Sequence, residues 1–202
     1  MTKEPTYVEN LRRITRADPI SETLEAQERE MYASGSDRAR AVLFGSPVET
    51  NLQRLIASKM RNDLNSADRK QLFEYEGAIG SFGSKILVAY ALKFIGPLTR
   101  FDLQLIKLLR NEFAHSRMTF DFETPEVQKV CELFRIIKLP DSENPASFLI
   151  RERQNGMDWS LDEPHPRTRF ISACHSIAFR LKVGTVGVGP GDVVYTNDDP
   201  LP

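Results

Sequence analysis

Arg110, Asn111 and His115 are the residues of this chain whose types and spacing could do chemistry. They lie in Arg110-Asn111-Glu112-Phe113-Ala114-His115, at the end of an apolar run with helical periodicity. On an α-helix Asn111 and His115 share one face, four positions apart. Arg110 and His115 differ by about 140° around the axis, and an arginine is long enough to turn toward the same space. So placed, Arg110 would hold a phosphate through its planar fork. His115 would serve as base or acid on a ribose hydroxyl, because imidazole titrates near neutral pH. Asn111 would orient the ring or a phosphate oxygen. The same residues also admit a packing role. A histidine at a helix C-terminus is favoured by the dipole and can bond the last carbonyls, and Arg110 could pair with Asp121 or Glu112.

The other candidates carry less. His165 stands between two prolines, in an expected loop. His175 adjoins Cys174 on an apolar helix and reads as packing. HxxxH, HExxH and CxxC are absent, so neither a metal site nor a cofactor is expected. Gly184, Gly187 and Gly189 have part of a dinucleotide-loop spacing, but they follow an expected helix rather than a strand. Cys131 and Cys174 fall on different expected helices and read as buried, reduced thiols.

The elements that must position the motif are helical nearly throughout. Short amphipathic helices are expected over 6–16 and 20–33. Ser36-Asp37 starts a long one, with Ala41, Phe44, Val48, Leu52, Leu55 and Ile56 on one face. Pro47 within Gly45-Ser46-Pro47 predicts a kink or break. Ser66 reads as the cap of a short helix ending near Gly77. The most apolar helix is expected over 84–95, stopped by Gly96-Pro97. Thr99 and Asp102 resemble a capping box for the motif's helix. Thr124-Pro125-Glu126 starts another, running to about Lys138. A short helix is expected over 146–153 and a last one over 168–182. The fold class is therefore all-α: a compact bundle of about seven to eight helices with flexible termini. Its expected parts are an N-terminal helical extension over 1–35, a bundle domain over 36–183 and a disordered tail over 184–202.

Composition narrows the function classes. The 27 basic and 28 acidic residues leave a net charge of −1, with pI near 6.3. A chain that binds duplex DNA tightly through phosphate neutralisation normally has a basic surplus, so that activity is not expected. No apolar run approaches the roughly 18 residues of a membrane span, and the first residues lack a secretory apolar stretch. A cytoplasmic location follows as the expectation.

The stretch Ser81-Phe82-Gly83-Ser84-Lys85-Ile86 through Ala89-Tyr90-Ala91-Leu92, then Ile95-Gly96, the Arg110–His115 motif and Phe120-Asp121, resembles the bacterial mannitol-repressor-like regulator family. Ser36-Asp37-Arg38-Ala39 and Val48-Glu49 look like that family's first long helix. The resemblance covers roughly 36–133. It implies an all-helical regulator, commonly a homodimer, without a recognised DNA-reading module. The Arg-x4-His spacing is also similar to HEPN domains, several of which are metal-independent, dimeric ribonucleases. That pattern implies Arg110 and His115 as catalytic, Asn111 as supporting, and an earlier-helix acid, Asp37 or Glu49, beside them. The first expectation is thus a helical regulator acting through protein–protein or weak nucleic-acid contacts. The alternative is a ribonuclease using Arg110 and His115 on RNA.

Overall fold

The computed structural model describes residues 35–74, 76–136 and 165–186. Among them it has six helices and no strand, so the all-α expectation holds, with fewer helices than the seven to eight expected. They are α1 (Asp37–Ser58), α2 (Ser66–Phe73), α3 (Phe82–Ala91), α4 (Pro97–His115), α5 (Pro125–Glu132) and α6 (Pro166–Val186). The expected helices over 6–16, 20–33 and 146–153 lie outside the described residues, as does the expected tail beyond 186.

Helix α1 organises the bundle and packs against α3, α4 and α6. Ser36 caps it, its side chain accepting from the Ala39 N–H. The apolar face read from the sequence is the buried one: Ala41, Phe44, Val48, Leu52, Leu55 and Ile56. The break expected at Pro47 does not occur, and α1 runs through it. Pro47 and Leu43, whose carbonyl the proline cannot serve, are both exposed, so water can take the freed acceptor. Gly45, by contrast, is buried where α1 meets α4. A Cβ there would stand 3.1 Å from Cδ of Arg110, so the absent side chain lets the arginine stem lie across α1.

Other boundaries shift for local reasons. Asn65, not Ser66, caps α2 and accepts from Asp68 N–H at 2.9 Å. Helix α3 starts at Phe82 under a Ser81 cap and ends at Ala91, well before Gly96-Pro97. Lys93 adopts a left-handed φ of 59°. Its N–H bonds Tyr90 O and that of Phe94 bonds Ala89 O, the paired bonds of a Schellman stop. The stop is thus made by a lysine at positive φ rather than by Gly96-Pro97. Thr99 and Asp102 form no capping box. Gly96 is the N-cap of α4 with Pro97 in its first turn, and Asp102 is fully buried, accepting from the Arg135 and Ile136 N–H groups beyond α5. Helix α5 ends at Glu132 rather than near Lys138, and α6 spans Pro166–Val186 rather than 168–182. Gly184 is thus in the helix and buried, not the first residue of a tail.

Phenylalanines fill the space where α4 ends. Phe113 lies 4.6 Å from Phe120 and 4.9 Å from Phe122 by ring centroids; Phe122 lies 5.4 Å from Phe170 of α6. Phe113, Phe122 and Phe170 are completely buried. Such aromatic contacts add to area burial, and they fix the end of the helix that carries the motif.

Candidate functional site

Helix α4 divides the motif between two faces. Arg110 and Phe113, three apart, point inward, while Asn111, Glu112, Ala114 and His115 are exposed. Helices α1 and α4 run antiparallel: Arg38 donates to Ser116 O at 2.9 Å at one end of the contact, and Gly45 meets Arg110 further along.

Arg110 is held from three sides. Its stem lies over Gly45, its guanidinium stands 5.9 Å from the centre of the Phe82 ring, and Nη1 donates to Oε2 of Glu49 at 2.6 Å. The other oxygen of Glu49, Oε1, accepts from Nζ of Lys85 at 2.7 Å. Lys85 also donates to Gly80 O at 3.0 Å. One carboxylate on α1 therefore joins cations from α3 and α4. The Lys85 side chain is only 5% exposed, against 18% for Glu49 and 25% for Arg110. A lysine that deep requires a counter-charge, and Glu49 is that charge. Lys85 lies within the apolar stretch 84–95 and belongs to no recognisable catalytic motif. A single charge inside an apolar helix was the available clue.

The expected constellation is assembled in part. Of the two acids expected beside Arg110, Glu49 reaches it and Asp37 does not. Asp37 lies twelve residues earlier on α1, about 18 Å along the axis at 1.5 Å per residue. It accepts from the Phe122 N–H at 3.1 Å and pairs with Arg167 at 2.7 Å and Arg40 at 3.4 Å. Burial pushes its carboxyl up. The Arg167 and Phe122 hydrogen bonds, with the charges of Arg167 and Arg40, outweigh that and hold it below the ordinary value. Arg167 was not foreseen, because its partner lies 130 residues away. Neither surface pairing considered for Arg110, with Asp121 or Glu112, forms.

His115 closes α4 as the basic residue of its last turn. Among the described residues no hydrogen bond or ion pair joins it to Arg110 or Asn111. Asn111 and His115 present an amide and an imidazole to solvent, while Arg110 faces Glu49. This arrangement can hold the helices in register. Within one chain it does not bring phosphate binder and proton carrier together.

The remaining candidates lie in packing or pairing contacts or are buried. His175 packs edge-on against Phe44, ring centroids 5.4 Å apart. His165 pairs with Glu123 at the start of α6. Cys131 and Cys174 are free and buried, as expected. Burial pushes the Cys131 thiol up to about 12 and the Cys174 thiol well above its usual value. Among the described residues no cluster of three or more His, Cys, Asp or Glu could hold a metal, and no helix is long and apolar enough to cross a membrane.

Among solved structures, the chain is similar to one in the X-ray structure of the MtlR-HPr complex from Escherichia coli. The TM-score is 0.56 and the identity 16%, over 78% of this chain and 97% of that one. The fold is thus mannitol-repressor-like; at that identity the likeness speaks to fold alone. No family model and no curated protein sequence matches the chain.

Proposed function

We propose that this chain is a mannitol-repressor-like helical regulator that acts through protein–protein contacts. The observation that carries the reading is the engagement of Arg110 by Glu49, within an ion cluster that also neutralises buried Lys85. The arginine supports the bundle, and no hydrogen bond or ion pair among the described residues joins it to the solvent-facing His115. The similar fold comes from a complex of MtlR with HPr, which makes a protein partner the natural kind of ligand. The reading includes a homodimer in a bacterial cytoplasm, as the family resemblance implies. The apolar faces of α1 and α3 are largely buried within the one chain, so the dimer rests on the resemblance.

Calorimetric titration with purified HPr tests this reading. Saturable heat is expected. No heat, together with cleavage of RNA by the wild-type chain, overturns it. Sedimentation showing only monomer at micromolar concentration removes the homodimer.

A second reading has one observation in its favour: Glu49, one of the two acids expected beside the site, does contact Arg110. In that reading the chain is a metal-independent ribonuclease. His115 takes the proton of a ribose 2′-hydroxyl, and that oxygen attacks the neighbouring phosphate. The 5′-oxygen leaves, a cyclic phosphate remains, and Arg110 stabilises the growing charge. This requires Arg110 to share its fork between Glu49 and RNA.

A further inference from the structure

The chain as a whole is nearly neutral, but one face is not. Between residues 77 and 111 the bases are Lys85, Lys93, Arg100, Lys107 and Arg110, and the acid is Asp102 alone. Asp102 is fully buried and turned toward the backbone beyond α5. Lys85 and Arg110 are balanced in part by Glu49. Lys93, exposed in the turn after α3, and Arg100 and Lys107, half-buried on α4, remain.

Arg100 and Lys107 also flank a cleft of about 210 Å³ between α3 and α4, with Leu87 and Gln104 in its lining. Leu87 is 58% exposed, and Leu108, one turn beyond Gln104, is 42% exposed. The volume is below the roughly 300–1,000 Å³ of a small-molecule pocket, and suits one aliphatic or aromatic side chain. Arg100 is already ordered, its guanidinium 4.3 Å above the Tyr90 ring. An arginine held flat presents its fork to a carboxylate with little further ordering.

We infer that this α3–α4 face docks an acidic segment of a partner protein, with an apolar side chain in the cleft beside Leu87 and carboxylates on Arg100 and Lys107. The inference rests on the protein-contact reading and names its surface and partner chemistry. A second copy of this chain fits less well. A two-fold contact sets a patch against itself, and here that would oppose Arg100 and Lys107 to their own copies, like charge to like. Single-stranded RNA fits less well too. Its bases need free aromatic faces to stack on, whereas the exposed apolar groups are leucines and Tyr90 carries Arg100 on one face.

The test is selection of a random displayed-peptide library on the full chain, followed by fluorescence anisotropy with the enriched peptides. Enriched peptides should combine several Asp or Glu with a Leu, Ile or Phe, and their binding should weaken with salt. Arg100→Glu with Lys107→Glu, and separately Leu87→Ser, should each weaken binding by about tenfold or more. Leu87 is mostly exposed, so its variant should retain wild-type helical content, measured by circular dichroism. Failure to enrich peptides, enrichment without acids, or competition by a short RNA overturns the inference. So does self-association abolished by Leu87→Ser. Acidic peptides whose binding ignores these substitutions remove this surface yet leave the protein-contact reading standing. RNA cleavage by the wild-type chain removes the reading itself.

Discussion

Glu49 and Arg110 are joined at 2.6 Å across α1 and α4, and the same carboxylate holds Lys85 at 2.7 Å. The three charges do not contribute alike. Removing Glu49 strands Lys85 in the interior, whereas removing Arg110 leaves the Glu49–Lys85 pair intact. Glu49→Gln should therefore cost about 3 kcal/mol, the range for breaking a buried pair. Arg110→Met, at a partly exposed position, should cost about 1 kcal/mol. Denaturant unfolding of both variants checks the order; an equal or reversed order contradicts it.

Gly45 faces the same arginine. Alanine gains up to about 1 kcal/mol of helix propensity over glycine, but its Cβ would meet Cδ of Arg110 at 3.1 Å. Gly45→Ala should be close to neutral, because the methyl needs only a small shift of the stem. Gly45→Val should destabilise by about 1–3 kcal/mol through overpacking. Thermal melts of the two variants check this.

Asp37 gives the fold an acid limit. Its carboxyl is held below the ordinary value of 3.8 when folded. Its contribution is therefore complete above the unfolded value, and is lost as pH falls through the depressed folded one. Stability measured from pH 7 downward should drop more steeply below about pH 4 in the wild type than in Asp37→Asn. Parallel curves would contradict the assignment.

Cys131 and Cys174 should be silent in the native chain. Burial raises both thiols, that of Cys131 to about 12, so thiolate is scarce at neutral pH. Iodoacetamide at pH 8 should leave both unmodified until denaturant is added, as read by intact mass. Fast native labelling of either would show that the site opens.

The helical class, the inward face of α1 and the burial of both cysteines were legible in the sequence, because each rests on periodicity or composition. Stops and partners were not. Helix α3 is stopped by Lys93, two residues past its end and at positive φ, where residue type gives no warning. Pro47 does not break α1; it and Leu43, whose carbonyl it cannot serve, both lie on the exposed side of the helix. The motif was visible as six residues, but its division between an inward-facing Arg110 and an exposed His115 depends on α1. Glu49 is 61 residues from Arg110, and Lys85 is 36 from Glu49. No local pattern reports such a meeting; only the unaccompanied charge of Lys85 in an apolar helix pointed to one.

Arg110 works on Glu49 rather than on a phosphate in the proposed reading, and the chain acts through protein contacts. Incubation of the purified full chain with end-labelled single-stranded RNAs in chelator, with His115→Ala in parallel, tests it most directly. The account predicts intact RNA in both, at every pH near neutrality. Wild-type cleavage that leaves 2′,3′-cyclic phosphate ends, falls at low pH and disappears in His115→Ala would contradict it and establish the ribonuclease reading.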